Sequence, residues 1–265
     1  MKRILVTGGS GTLGRSVIAQ LLAVGHQVRA TSRRVRSGGE PARVEWFQSD
    51  LRTGSGLQTA LEGVEVVVHC ATNPAASRRV DIQGTERVLE GARAASVEHF
   101  IFPSIVGIDS HPFRYYRAKL AAEKLVERLG LPWTILRATQ FHSLVDQFLT
   151  AQSRLPWIFV LSGLRFQSVN VDEVAARLVR CVAEGPGGAQ PDVGGPEVLS
   201  AAVMAERWLV SRGLRKRVMQ VYLPGRTAAA FRRGDNLLKQ GVQGRITWDE
   251  WLRDRASRSG AEART

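Results

Sequence analysis

Short apolar runs alternate with amphipathic stretches through the first half of the chain. Runs at 3–7, 27–31, 44–48, 64–70, 99–102 and 133–136 are rich in valine, isoleucine and aromatic residues. They carry apolar residues on both faces, the pattern of parallel strands covered by helices on either side. Helical periodicity marks 12–24, 78–95 and 114–129; in the second, Val80, Thr85, Val88, Leu89 and Ala92 fall on one stripe. Strands and helices alternating at this spacing imply right-handed crossovers and an α/β, doubly wound parallel sheet. After Arg137 the pattern loosens. Helices are expected at 141–152, 171–183 (capped by Asn170 or Asp172), 201–211, 226–238 and 247–253. The apolar segment 155–161 has no periodicity that assigns its type, and 257–265 reads as a frayed tail. With no internal repeat and no Gly/Ser linker, residues 141–265 are expected to form a smaller C-terminal portion. It would cap a substrate cleft within the same compact unit as 1–140.

Between the first strand and first helix lies Thr7-Gly8-Gly9-Ser10-Gly11-Thr12-Leu13-Gly14. Its glycines have G-x-x-G-x-x-G spacing: Gly8 for a tight turn, Gly11 for close backbone approach to a pyrophosphate, Gly14 for helix–strand packing. The helix N-terminus adds unpaired N–H groups and partial positive charge. In its strand–turn–helix context the motif predicts a Rossmann-type dinucleotide site, with Gly8, Ser10, Gly11, Thr12 and Leu13 against the phosphates. An NAD site places an acid at the end of the second strand, but this sequence reads Ser32-Arg33-Arg34, with no acid before Glu40. Two guanidiniums without a carboxylate suit a ribose 2′-phosphate, and favour NADP(H) over NAD(H).

Charge changes the picture less than its size suggests. The net charge is +13, but only five of the 37 basic residues are lysines, so 32 are arginines spread along the chain. One short cluster stands at Arg212, Arg215, Lys216 and Arg217. Compositional bias accounts for this dispersed excess as well as binding does, so nucleic acid is disfavoured as a partner. Cys70 and Cys181 cannot make a disulfide framework, and no histidine or cysteine pair has metal-ligand spacing. No run approaches a membrane span and the opening residues are too short a run for a secretory signal. The expectation is therefore a cytoplasmic protein, monomer or homodimer, that binds a small molecule and has neither membrane partner nor metal.

With these motifs in place the chain resembles the atypical, NmrA-like short-chain dehydrogenases/reductases over nearly its whole length. Beyond the glycine loop, the resemblance rests on Ser49-Asp50-Leu51, His69-Cys70-Ala71-Thr72, Asp81-Ile82-Gln83-Gly84-Thr85 and Phe100–Gly107. It continues through Pro132–Phe141, Val193–Glu197 and Thr247–Leu252. It implies that Asp50 and Leu51 lie beside the adenine, that Cys70, Ala71 and Thr72 run past a ribose, and that Lys119 holds the nicotinamide ribose.

The candidate catalytic set is Ser104, Tyr115 and Lys119. Tyr115 and Lys119 form Y-x-x-x-K, one turn apart on one helix face. A phenol titrates near 10, and a neighbouring ammonium is expected to lower that value. Tyr115 would then donate a proton to a carbonyl that Ser104 polarises as hydride arrives. Tyr116 is the alternative phenol. His142 either lines a substrate pocket or packs, and Trp157, Phe159 and Phe166 either fill a core or line an apolar cleft. The implied function is an NADP-dependent oxidoreductase that transfers hydride from NADPH to a carbonyl, enone or quinone. The alternatives are a non-catalytic NADP(H)-sensing regulator and a nicotinamide-dependent epimerase or dehydratase.

Overall fold

The structure, a computed structural model, describes residues 1–34 and 43–262 of the chain. Strand β1 (Arg3–Thr7) sends Ile4 and Val6 to one face of the sheet and Leu5 to the other, all three fully buried. The chain continues through α1 (Thr12–Ala23), β2 (Gln27–Ser32), β3 (Val44–Gln48), α2 (Leu57–Leu61) and β4 (Val66–His69). Next come α3 (Gln83–Ala94), β5 (His99–Ile105), α4 (Arg114–Arg128) and β6 (Trp133–Ala138). The six strands pair in parallel in the order β3-β2-β1-β4-β5-β6. The chain runs outward from β1 to β3 and returns to β4, so connections leave β1 and β4 in opposite directions. Their carboxyl ends flank the crevice where ligands bind in such sheets.

Two apolar layers hold the sheet. On one face Val17, Ile18 and Leu21 of α1 pack with Val174, Ala175, Leu178 and Val182 of a later helix, α6 (Val171–Glu184), over Ile4, Val6, Val66, Val68 and Ile101. On the other, Leu57 and Leu61 of α2, Val88 and Leu89 of α3, and Ala122 and Val126 of α4 cover Leu5, Val67, Phe100 and Phe102. Each fully buried Val, Leu, Ile or Phe contributes about 1.5–3 kcal/mol before chain entropy. The sheet is thus anchored by side chains that alternate along each strand, as the two-sided apolar runs required.

Between β6 and α6 lie α5 (His142–Thr150), β7 (Trp157–Leu161) and β8 (Arg165–Phe166). After α6 come β9 (Gly188–Ala189), β10 (Val193–Gly194), β11 (Leu199–Ser200), α7 (Ala201–Ser211), β12 (Arg217–Val221), α8 (Arg226–Arg233), β13 (Val242–Gln243) and α9 (Trp248–Glu262). The chain beyond residue 140 therefore serves two structures. α6 covers the sheet, while β9 and β10 pair with β6 and β13 pairs with β10. The remainder forms a third cluster of Ile158, Val160, Met204, Trp208, Leu209, Trp248 and Leu252.

Several elements differ from the sequence expectation. Segment 155–161 is strand β7, paired in parallel with β12 nearly sixty residues on, a partner that no local pattern announces. The helix expected at 78–95 begins as a π-helical turn at Arg78–Ile82 before α3. That at 226–238 stops at Arg233 because Gly234 adopts φ +83°, a left-handed cap. Residues 257–262, expected to fray, continue α9, and 263–265 lie outside the described residues. Strand β5 runs through Pro103 to Ile105 rather than ending at Phe102. Phe100 donates its N–H to Pro132 on the β6 side, so by alternation Pro103 faces the β4 side, where pairing has already ended at Val68↔Ile101. A residue without an N–H fits there because no ladder bond is lost.

Candidate functional site

The glycine loop joins β1 to α1 as its spacing predicts. Gly8 has φ +65°, and a Cβ there would lie 2.6 Å from Ala71 Cα. A Cβ on Gly14 would lie 2.4 Å from the Gly8 carbonyl oxygen, so the helix can start this close to the loop only as glycine. Gly11 differs: its nearest would-be contact is Gly8 O at 3.2 Å, and it is exposed together with Thr12. It caps α1 with no side-chain hydrogen bond, and no acid stands in the first turn. The N–H groups and positive end of a twelve-residue helix thus carry no side-chain cap and no acid from the helix's own first turn. Leu13 packs partly into the core beneath them, and Ser10 gives its carbonyl to Arg15 Nε at 3.0 Å.

At the end of β2, Ser32 is buried and its hydroxyl accepts from Arg34 N at 3.3 Å, while Arg33 and Arg34 are exposed. Among the described residues neither guanidinium has an ion-pair partner; Glu40 lies outside them. At the end of β3, Arg52 grips Asp50 through Nε at 3.0 Å and Nη2 at 2.6 Å. That side-chain bond holds the Asp50 carboxyl below its ordinary value. The Leu51 side chain is buried in the core, so only its backbone lies toward the crevice, and its carbonyl accepts from Arg87 at 3.1 Å.

The end of β4 is organised by buried His69. Thr85 donates its hydroxyl to Asp81 O at 2.7 Å, so His69 Nε2, 3.0 Å away, must donate to Thr85. Nδ1 then accepts from Thr7 at 2.7 Å, and the Thr7 oxygen accepts from Ala71 N at 3.3 Å. Every polar atom is used and the ring is neutral, its value lowered by burial to about 3. This chain fixes Ala71 against Gly8. The half-buried Cys70 thiol is pushed up to about 12 by burial, with Lys119 opposing.

Thr72 brings β4 and α4 together. Its hydroxyl bonds to the Asp81 carboxylate and lies 2.8 Å from the Tyr115 hydroxyl. Asp81 is 1% exposed and also accepts from Asn73 N at 3.3 Å. Asp81 belonged to the motif that carried the resemblance, yet it was not in the expected site set; a buried carboxylate at a helix start was the signal for it. Burial raises its value, against the Thr72 bond and the charge of Lys119. One turn after Tyr115, Lys119 is buried and donates to Pro103 O at 2.8 Å, with Nζ 3.8 Å from the centre of the Phe102 ring. The Pro103 carbonyl is available because β4 has parted from β5 there. Burial lowers the Lys119 ammonium to about 8. Ser104, on the same face of β5 as Phe102, buries its hydroxyl without a partner among the described residues.

The two phenols separate cleanly. Tyr116 accepts from Gln140 Nε2 at 2.8 Å and packs at 4.6 Å from the His111 ring and 5.9 Å from Phe231. Tyr115 is the phenol on the Thr72 side. The expectation that Lys119 lowers its value does not hold in the protein alone. Burial pushes Tyr115 well above the ordinary phenol range, with Asp81 adding to the rise and the Thr72 bond opposing it.

Other candidates fall outside the crevice. His142 is buried, donates to Ile246 O at 3.1 Å, bonds to Ser168 at 2.8 Å and packs against the stacked pair Trp248 and Trp251; it ties α5 to the C-terminal cluster. Trp157 and Phe159 stand outward and exposed on β7 rather than in the core. In the basic cluster, Arg212 pairs with buried Asp146 at 3.0 Å and Lys216 donates to Leu155 O at 2.7 Å, so two of its four cations are tied to the protein itself. Among the described residues no group of three or more metal-ligating side chains converges, and no helix is long and apolar enough to cross a membrane.

Comparisons with known proteins agree with this geometry. Residues 8–184 match the model of the NAD(P)H-binding family. The photosystem II assembly factor Ycf39 of Cyanophora paradoxa is 32% identical over 155 residues, 55% of this chain and 48% of its own length. Human sterol-4-alpha-carboxylate 3-dehydrogenase, decarboxylating, is 36% identical over 113 residues, 40% of this chain and 30% of its own length. The chain thus spans less than half of either relative. Among solved structures, UDP-glucose 4-epimerase of Thermotoga maritima superposes with a TM-score of 0.76 at 19% identity, over 98% of this chain and 99% of that one. A short-chain dehydrogenase/reductase superfamily protein of Agrobacterium tumefaciens with bound NAD gives 0.68 at 22%, over 99% and 100%. At such identities the likeness is one of fold. Together with the glycine cradle and the Rossmann-type strand order, the family match establishes that this chain belongs to the NAD(P)H-binding family, built on the short-chain dehydrogenase/reductase fold.

Proposed function

We propose that this protein is an NADP-dependent oxidoreductase that reduces a carbonyl, enone or quinone. One observation carries the reading. The site holds a helix N-terminus with no side-chain cap, Arg33 and Arg34 with no ion-pair partner among the described residues, a buried Ser104 hydroxyl with no partner among them, and a Tyr-x-x-x-Lys pair whose members bond to Thr72 and Pro103. Bound NADPH supplies hydride. The α1 N–H groups with Gly8, Ser10, Gly11, Thr12 and Leu13 hold its phosphates, and Ser32, Arg33 and Arg34 hold the 2′-phosphate. Asp50 and Leu51 flank the adenine, and Cys70, Ala71, Thr72 and Lys119 line the ribose.

The substrate chemistry falls to Ser104, Tyr115 and Lys119. The Ser104 hydroxyl donates to the substrate oxygen, which supplies the partner it lacks. Tyr115 protonates that oxygen once hydride has arrived, since the resulting alkoxide is basic enough to take a proton even from a phenol that burial has made a weaker acid. The Lys119 ammonium steadies the phenolate that results. Part of the chain beyond residue 140 caps the cleft through Phe231, which packs on His111 and Tyr116.

Calorimetric titration with NADPH, NADP⁺ and NADH tests the reading. Tight NADP(H) and weak NADH support it and direct the substrate screen to carbonyls and quinones. Equal or tighter NADH overturns the NADP assignment, and failure to bind any of them overturns the enzyme.

A further inference from the structure

Asp81 has no role in the reading above, yet it bonds to Thr72, the closest polar contact of the Tyr115 phenol. Lys119, the residue expected to govern that phenol, spends its bond on Pro103 O. Tyr115 is instead 2.8 Å from Thr72, whose hydroxyl bonds to Asp81. Asp81 is out of water, fixed by Asn73 N on its second oxygen and presented by the π-helical turn that opens α3. Three groups from three segments thus form one file: α4, the β4–α3 loop and the start of α3.

We propose that Asp81 is a positioning residue for Tyr115 that acts through Thr72: its carboxylate accepts the Thr72 hydroxyl proton in a hydrogen bond and so fixes the Thr72 oxygen as the acceptor that orients the Tyr115 hydroxyl. The inference rests on the oxidoreductase reading for its purpose but not for its geometry. Because Thr72 donates its one hydroxyl proton to the carboxylate, its oxygen is left to accept from the Tyr115 hydroxyl, so no proton moves in the resting site and the order of donation is Tyr115 to Thr72 to Asp81. The charged and titratable groups that act on Asp81 or are acted on by it are Lys119 and Tyr115 on α4. Lys119 lowers the carboxyl toward its ordinary value and burial raises it. The neutral His69 and the un-ionised Cys70 add no charge at neutral pH.

The chain has three tyrosines, so replacing Tyr116 and Tyr222 by Phe leaves Tyr115 as the one phenol that titrates. Its ionisation is read as absorbance at 295 nm against pH, with no substrate required. Asp81→Asn removes the buried negative charge while keeping an oxygen for Thr72, and is expected to lower the midpoint by about one unit. In a Thr72→Val background the same change is expected to produce a distinctly smaller shift, because the file is cut. An unmoved midpoint in Asp81→Asn overturns the proposal. An equal shift with and without Thr72 reduces the effect to charge through space and overturns the positioning role. Thr72→Val alone leaves Asp81 in place, and circular dichroism confirms that each variant is folded. NADPH titration of the wild-type protein separates the two readings. Absent NADPH binding with a coupled shift keeps the Asp81 file and removes the enzyme; binding with no shift does the reverse.

Discussion

Lys119 Nζ lies 2.8 Å from the carbonyl oxygen of Pro103, which is free to accept because β4 stops pairing with β5 two residues earlier. The ammonium is therefore held by backbone and by the face of Phe102, not by the phenol one turn before it. Its burial gives the first prediction. The value falls from 10.5 to about 8, so between those values the unfolded chain binds more protons than the folded one. Stability from this group rises with pH across that window, and below it the buried ammonium weakens the fold by roughly 3 kcal/mol at most. Lys119→Met should thus keep the fold at pH 7, with a melting temperature equal to or above wild type. It should also flatten the rise in melting temperature between pH 8 and 10. A variant that melts several degrees lower would show that the Pro103 bond and the Phe102 contact outweigh desolvation.

The loop glycines should respond differently to the same substitution. Gly8→Ala places a methyl against Ala71 in a left-handed backbone, and is expected to lower stability by at least about 2 kcal/mol. Gly11→Ala, at φ −77°, sets its methyl 3.2 Å from the Gly8 carbonyl oxygen, a contact relieved by a shift of a few tenths of an ångström, and should change stability by about 1 kcal/mol. Its methyl would nevertheless stand where phosphates approach, so NADPH affinity should fall at least about tenfold. Paired urea melts and NADPH titrations check both; equal effects of the two changes would refute the distinction.

Arg33→Ala and Arg34→Ala should discriminate between cofactors. Each charge-assisted contact to a 2′-phosphate contributes about 1.5–3 kcal/mol, or roughly 10- to 100-fold in Kd. NADPH should weaken by that factor while NADH, lacking the phosphate, stays unchanged. Parallel losses for both cofactors would mean that the arginines act on something common to the two.

Three histidines predict the acid limb of stability. Burial lowers His69 to about 3 and His99 and His142 to about 4, against 6.5 in the unfolded chain. Here too the unfolded state binds more protons, so stability is full above pH 6.5 and is lost as pH falls toward 4. Each ring contributes a slope of about 1.4 kcal/mol per pH unit. Urea midpoints at pH 7, 6 and 5 should drop steadily, well above the carboxylate range. A midpoint unchanged from pH 7 to 5 would show that these rings are solvated.

Much of this protein was legible along the chain because the information is local. Two-sided apolar runs, a 3.6-residue stripe and a glycine loop between them specify strands, helices and a dinucleotide turn within a few residues of each other. Six strands and the glycine loop between the first strand and the first helix followed from that alone. Tyr115 against Tyr116 could not be separated by sequence, since adjacent helical residues differ only in which neighbour they meet. The fold gives them different surroundings, setting Gln140, His111 and Phe231 around Tyr116 and Thr72 beside Tyr115. The pairing of β7 with β12 and the turn of Trp157 to the outside were equally hidden, because each depends on a partner far along the chain. The charge state of the site was hidden for a different reason. Whether a phenol beside a lysine rises or falls depends on the desolvation of both and on a third group, Asp81, and only the packed structure places all three.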